Sequence, residues 1–563
     1  MKIEHRCLRW ETWLRNKWLA VVIFAVTLPS FYWIVNDRHV WPWDPAWYGE
    51  VSVDLWFKFG HFSKWGPAML SAFGTKAPGI AWFGQFFVPL GRAMGSIETG
   101  LLCSVLAAQI GSLVLASKIA EEFAPGRRLV ACVSVLVFAS APLFVAMSHQ
   151  YFVEPLQLFG VAYFYFLAAR GHRMQRVTLL GNLLIATSIA LLAKSTSPIY
   201  CALPGLIATH ALFLKREPGV EASPKGVFLG WICVSAGLIL CAVCATFYLK
   251  HLQELRGYVS IAMNLEFTAN YGRRGTFLQK LPFWLHALHW DFESSWVIAG
   301  QLILFGVGMG VSKMRADRQN DLDEARRTRL NLLAISSVIH ILTVISLCSL
   351  NYSEEIRYLL PLLPAIAVVN IWLVCRIRQP WLVAGVVLLL SFQWIAVCSQ
   401  ALGWGQFGGR NCFWLLPFDR DRKPATEIVR IVRHTANLAG SPRINIVGIE
   451  LPWLNGNTLS FYSAKEKLIT HQRCDYVSLG YAAKDLNAAW GRMIELKPGY
   501  FISLEEAAQL ANPDFLNVIS VAALRRIRDD PDFVPEPFAS DLNVVLFRRK
   551  IKAPASGSGA PAQ

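Results

Sequence analysis

Apolar runs of bilayer length recur along the first 400 residues of this chain, near 18–36, 98–117, 129–147, 152–169, 177–193, 198–214, 227–248, 295–312, 331–349, 358–375 and 381–400. A hydrocarbon core of about 30 Å takes about 20 apolar residues to cross as a helix, because each residue rises about 1.5 Å. No water reaches backbone N–H and C=O groups inside lipid, so such a chain must satisfy them within helices. The runs predict about eleven transmembrane helices. Composition agrees: 54% of the residues are hydrophobic and 16% charged, whereas soluble domains carry roughly a quarter charged residues.

The net charge of +16 raises nucleic acid as a partner, and its distribution removes that reading. With the N-terminus in the cytoplasm, segments 1–17, 118–128, 170–176, 215–226, 313–330 and 376–380 hold 22 Lys and Arg in 70 residues. Segments 37–97, 148–151, 194–197, 249–294 and 350–357 hold 12 in 123. This asymmetry is the positive-inside pattern, and it sets orientation. The remaining 20 basic residues lie in the tail, mixed with acids. An odd number of spans from an inside start puts residues 401–563 outside. The first apolar run lacks a small-residue cleavage site after it and reads as a retained span. Nine of the 12 cysteines fall within predicted spans, where they serve as small apolar residues. Cys412 and Cys474 lie in the outer tail, where a disulfide between them is one option.

Two outer loops are long. The first, 37–97, carries Trp41, Trp43, Trp47, Tyr48, Trp56, Phe57, Trp65 and Trp82, aromatic residues of the kind that settle at headgroup level. Its stretch 77–90 is apolar but short and holds Pro78 and Pro89, so it reads as interfacial or re-entrant. The second, 249–294, carries His251, Arg273, Arg274, Lys280, His286 and His289. After about 401 charge returns, with strand-like runs at 443–449, 500–503 and 543–547 and helix-like runs at 424–438 and 482–494. The expected organisation is a transmembrane domain over 1–400, a small extracytoplasmic α/β domain over 401–552, and a disordered Pro/Ala/Gly/Ser-rich tail over 553–563. No repeat of solenoid period appears.

Polar residues at outer span mouths are the candidates for chemistry. Asp44 lies in Trp41-Pro42-Trp43-Asp44-Pro45-Ala46-Trp47-Tyr48-Gly49-Glu50. A carboxylate there is either a general base for an acceptor hydroxyl or part of an Asp-Pro turn. Glu154 opens the fourth span; an acid at span depth is costly and reads as functional unless it stays shallow and hydrated. Its neighbour His149 is a partner or a plain loop residue. Lys76, Lys194 and Arg357 are cations beside apolar spans, suited to a phosphate or to snorkelling. Tyr358 adds a phosphate hydrogen bond or belongs to the aromatic belt. His286, His289 and Asp291 stand at close spacing, with no HExxH, CxxC pair or four-ligand set, so the metal is unknown and a divalent ion is only an option. Asn351-Tyr352-Ser353 fits a glycosylation sequon, a pattern frequent by chance. No P-loop, GxGxxG, GxSxG or kinase signature points to ATP or a dinucleotide.

With these residues in order, the sequence resembles the GT-C integral-membrane glycosyltransferases, in the branch holding protein O-mannosyltransferases and lipid A aminoarabinose and galacturonic acid transferases. Asp44 stands at the family's first-loop acid, and Trp47-Tyr48-Gly49-Glu50 at its Tyr-Ala-Glu-like run. Lys76-Ala77-Pro78 resembles its Lys-Pro-Pro step, Glu154 its second outer acid, and Lys194-Ser195 its lysine-plus-small-residue step. Arg357-Tyr358-Leu359-Leu360-Pro361-Leu362-Leu363-Pro364 resembles its Arg/Lys-Tyr-x-Leu-Pro-x-x-Pro run. The resemblance covers residues 15–375. It departs where the usual Asp-Glu pair is Asp44-Pro45, where Trp47 replaces a cation, and where Glu154 replaces Asp.

The resemblance implies a GT-C fold and an inverting transfer of a hexosyl or pentosyl group from a polyprenyl-phosphate donor to a lipid, glycan or protein acceptor. It implies Asp44 and Glu154 as catalytic residues, and Tyr48, Glu50, Lys76, Lys194, His289, Arg357 and Tyr358 as substrate-binding residues. The expected setting is the cytoplasmic membrane of a bacterium, among membrane lipids, with the carboxyl-terminal domain outside. One alternative is a polyprenyl-linked glycan transporter or flippase, which would gather its polar groups near the midplane at broken helices. Another is an oligosaccharide transferase with a pyrophosphate-linked donor and a metal at Asp44 and Glu154.

Overall fold

The structure is a computed structural model that describes residues 2–214, 224–314, 324–377, 379–405, 415–436, 444–479, 481, 483–506 and 514–550. The chain divides into two compact units. One holds residues 1–37 and 58–418, the other Arg38–Phe57 and the described residues from Asp419 onward. Cys412 and the tail 553–563 lie outside the described residues.

The first unit is helical. Each predicted span falls on a helix or on a bent pair of helices. Among the described residues seven helices are long and apolar enough to cross a bilayer: Lys17–Asn36, Ile97–Phe123, Arg176–Ala193, Gly226–Lys250, Arg326–Leu350, Ile356–Val374 and Pro380–Ala401. Two bent pairs raise that number to as many as nine. The two other expected spans form helices of 17 residues, Glu154–Arg170, and 14 residues, Ser197–His210. These are shorter than a full crossing takes, so the count of eleven read from hydropathy is not reached by length. The apolar stretch 77–90 forms short pieces, Gly79–Gly84, a 3₁₀ turn and Val88–Ala93, too short to cross. The second long loop, 249–294, contains the helices Leu252–Met263 and Phe277–Asp291.

Both bends have an identifiable seal. Arg128–Ala139 meets Pro142–Ser148 at 65°, and Phe277–Asp291 meets the helix from Ser295 at 78°. Pro142 brings no N–H to its helix start. Each break frees backbone groups that lipid cannot solvate. Gln393, on Pro380–Ala401, answers both. Its amide nitrogen donates to the carbonyls of Ser140 and Phe292, each at 2.8 Å, and its oxygen accepts the Ser294 N–H at 2.8 Å. Gln393→Leu leaves three buried backbone groups without these partners. At about 1–3 kcal/mol for each unsatisfied group, the variant should unfold well below the wild type in detergent melts monitored by circular dichroism; an unchanged midpoint would mean the bends are satisfied by other groups.

The second unit is an α/β domain. Its strands are β1 (Ile444–Val447), β2 (Asp475–Ser478), β3 (Tyr500–Leu504), β4 (Phe533–Glu536) and β5 (Val544–Arg549), in the order β2-β1-β3-β5-β4. β1 runs parallel to β2 and β3, while β5 runs antiparallel to β3 and β4. Helices Lys423–Ala436, Gly456–Thr470, Leu486–Leu496 and Ser520–Asp529 accompany the sheet. Asn455 caps Gly456–Thr470, its side chain accepting the Thr458 N–H at 3.0 Å. The first-loop helix Trp43–Phe59 begins in this unit.

Candidate functional site

Five of the sequence-predicted residues, Lys76, Glu154, Lys194, Arg357 and Tyr358, gather in the first unit around the buried carboxylate of Glu154. Glu154 opens the helix Glu154–Arg170, with Pro155 fixing its first turn. Its side chain is 1% exposed. Lys194 follows the helix Arg176–Ala193 in extended backbone, and its ammonium lies 2.7 Å from Glu154 Oε1. Arg357 sits in the 3₁₀ turn Ile356–Leu362; its Nε is 3.7 Å from the same oxygen and 3.1 Å from Glu355 Oε2. Aromatic faces support both cations. The Lys194 ammonium lies 4.1 Å from the Tyr358 ring centre, and the Arg357 guanidinium 4.2 Å from that of Phe152. Tyr200 fixes the turn by donating to the Tyr358 carbonyl at 2.6 Å.

Lys76 is brought in by its neighbour Gly79. A Cβ at Gly79 would stand 2.5 Å from the Leu192 carbonyl oxygen, so only glycine lets this segment touch the end of the Arg176–Ala193 helix just before Lys194. Tyr151 holds the next residue, donating to the Ile80 carbonyl at 2.9 Å. Burial pushes the Lys194 ammonium down, Glu154 opposes this, and the charges of Arg357 and, least of all, Lys76 add to the lowering. Lys76, Lys194 and Arg357 against Glu154 and Glu355 leave a net positive charge in this cluster.

The other predicted residues stand on other elements. Asp44 is half-buried in the first turn of Trp43–Phe59, in the second unit. Tyr48 is buried on the same helix. Glu50 lies 2.5 Å from Arg473, which also pairs with Asp54. Burial pushes the Glu50 carboxyl up to about 8, with the negative charges of Asp54 and Asp475 adding to the rise and Arg473 opposing it. In this unit Glu50 has a structural job, tying its helix to Arg473. His289 sits at the bend before Ser295, with Nε2 2.7 Å from the Ser295 hydroxyl, and packs near His286 and Trp290. Among the described residues no group of three or more His, Cys, Asp or Glu side chains is gathered to hold a metal ion. His149 stacks on Trp33, ring centres 4.1 Å apart and planes 3° apart, and burial drives its pKa down to about 3. Cys474 is buried, its thiol facing the Thr435 carbonyl at 3.6 Å.

Sequence reasoning passed over Glu355 and Phe152. Glu355 had a signal, an acid two residues before Arg357 in a short outer segment. Phe152 had none, since one aromatic in an apolar run looks like any other.

The described architecture agrees with two solved structures. Both are of ArnT from Cupriavidus metallidurans. The apo state is 14% identical, covers 94% of this chain and 98% of that chain, and gives a TM-score of 0.53. The form bound to undecaprenyl phosphate is 13% identical, with the same coverage and a TM-score of 0.55. No protein-family model matches the sequence, and no curated protein matches it either. At such identities the likeness defines the fold. The chain is a helical membrane protein of GT-C fold with a small carboxyl-terminal sheet.

Proposed function

We propose that this chain is a membrane glycosyltransferase that moves a sugar from a polyprenyl-phosphate donor to a lipid, glycan or protein acceptor by inverting displacement. The observation that carries the reading is Glu154, buried and held by Lys194 at 2.7 Å and by Arg357 at 3.7 Å. Two cations would repel each other in an apolar setting, and the carboxylate between them keeps both in place. Lys194, Arg357 and Lys76 then stabilise the charge that builds on the phosphate as the sugar leaves, Arg357 with its planar fork. A carboxylate so close to an ammonium is a poor base, so Glu154 serves as the organiser of the cations. The fold shared with ArnT bound to undecaprenyl phosphate supports a donor of that class.

In the reaction the bond between the anomeric carbon and the phosphate oxygen breaks, and its electron pair stays on the phosphate. The acceptor oxygen attacks the opposite face of that carbon and loses its proton to Asp44. The products are the glycosylated acceptor and polyprenyl phosphate. Asp44 is assigned as base from the first-loop motif. Tyr358 lies beneath Lys194 and orders it for the phosphate; Tyr48 and Glu50 accompany Asp44 on its helix. Comparing surface lipids and glycans from cells with and without this chain by mass spectrometry tests the reading: one sugar residue should vanish from one product class. Identical profiles would remove the enzyme.

The proposed setting is the cytoplasmic membrane of a bacterium, with the carboxyl-terminal domain outside. A carboxyl-terminal reporter that works only in the cytoplasm should be silent. Activity from it would invert the orientation and put the cation cluster at the wrong face for a donor delivered outside.

A second reading, a transporter of lipid-linked glycans, draws on one observation. Glu293 is buried at the second helix bend, its Oε1 accepting from Asn370 Nδ2 at 3.0 Å. Buried acids at broken helices are common in transporters. Glu293→Gln separates the two: a transporter loses function, whereas the glycosyltransferase keeps its transfer activity.

A further inference from the structure

Glu450 takes no part in the reaction as written, yet it is 5% exposed, just past the carboxyl end of β1. One carboxylate oxygen accepts the Trp43 indole N–H at 2.9 Å, and the other accepts the Ser478 hydroxyl. Asn517 holds the Glu450 backbone on both sides: its Oδ1 accepts the N–H and its Nδ2 donates to the carbonyl, each at 2.8 Å. Burial pushes this carboxyl up. Trp43 is the residue immediately before Asp44.

Further anchors fix the same segment. Trp41 stacks on Phe461, ring centres 5.2 Å apart and planes 4° apart, and its carbonyl accepts the Thr458 hydroxyl at 2.7 Å. Gly49 lets its helix close onto Phe461, where a Cβ would stand 2.8 Å from the ring. Arg473 grips Glu50 and Asp54, about two and three turns past Asp44. Asp44 is therefore bracketed: Trp41 and Trp43 are tied down before it, Gly49, Glu50 and Asp54 after it. Most helical stability in a protein comes from tertiary packing and not from propensity, so these contacts set the position of the helix.

We propose that Glu450, through Trp43, is a positioning residue for Asp44, and that the carboxyl-terminal α/β domain serves to hold the helix that carries the base. The inference rests on the reading of Asp44 as base. A base must lie within hydrogen-bond reach of the proton it takes. An indole N–H donated to a buried carboxyl oxygen that is itself held in place fixes where the Trp43 side chain sits.

The test uses the full-length protein in nanodiscs and four variants: E450A, E450Q, W43F and W43F/E450A. Three quantities are read: deuterium uptake of peptides spanning Trp43–Phe59, affinity for undecaprenyl phosphate as probe, and the glycosylated product in cells. E450A and W43F should raise uptake in Trp43–Phe59, leave probe affinity unchanged, and lower product on the order of tenfold to a hundredfold, as a displacement of about 1 Å does. E450Q keeps an oxygen for the indole and should recover most of the product; it also serves if E450A does not fold. The double variant should be no worse than the poorer single one, because both remove one interaction. Unchanged uptake and unchanged product in E450A and W43F overturn the proposal. D44N is run alongside. If D44N loses product while E450A and W43F do not, positioning falls and the base stands. If D44N keeps product, the base reading falls, and the proposal falls with it whatever the uptake shows.

Discussion

Asp44→Asn should all but stop sugar transfer while leaving the donor lipid bound. The variant keeps size and hydrogen bonding and removes only the basic carboxylate. Loss of a general base typically costs about 10²–10⁴ in rate, and the proposed phosphate site, Glu154 with Lys194 and Arg357, keeps all of its own residues in this variant. Two controls separate a base from a supporting acid. Glu50→Gln weakens the hold of Arg473 on the helix without touching Asp44. Glu154→Gln removes the anion that Lys194 and Arg357 share, so it should weaken donor binding. Near-normal transfer by Asp44→Asn with transfer abolished in Glu154→Gln would exchange the two roles.

Arg357→Ala is the second large effect, and it should appear in binding. Hydrogen bonds to charged groups are worth about 1.5–3 kcal/mol, so affinity for undecaprenyl phosphate should fall on the order of tenfold or more. The fold should survive, because Glu154 keeps Lys194 at 2.7 Å. Arg357→Lys restores the charge without the fork and should fall between. Lys76→Ala should weaken binding in the same direction, less so if its charge acts at longer range. Lys194→Ala is a harsher change: it strips the closest partner from a buried carboxylate, at about 3–5 kcal/mol, and should cost folded protein. Unchanged donor affinity in both Arg357→Ala and Lys76→Ala would return these cations to the headgroup-snorkelling role.

Hydropathy located the helices because the bilayer imposes a length and a polarity on each. It did not reveal the bends, since the seal is Gln393, an amide in a third helix far along the chain from Ser140 and Phe292. Short strands split by the same logic. β1, β3 and β5 have β-branched or aromatic runs that show in sequence, whereas Asp475–Ser478 and Phe533–Glu536 are four residues long and carry polar or proline positions. Lys76, Glu154, Lys194 and Arg357 were each legible at a span mouth, and orientation put all of them on one side. The distances between them depended on helix packing, including the close approach that Gly79 permits. Trp41 and Trp43 looked like aromatic-belt residues. Their partners, Phe461 and Glu450, lie some 400 positions away, and no local pattern carries a contact of that range. His289, placed with the phosphate ligands by resemblance, is set by Ser295 at a bend.

Reconstitution of the purified protein in liposomes with a polyprenyl-phosphate-linked sugar in the outer leaflet and membrane acceptors beside it tests the central claim most directly. Mass spectrometry then follows both the lipid carrier and the acceptor. A glycosyltransferase releases free polyprenyl phosphate and adds one sugar residue to the acceptor with inverted anomeric configuration, and Asp44→Asn does neither. Recovery of the lipid-linked sugar intact in the opposite leaflet, with no acceptor modified, would contradict it.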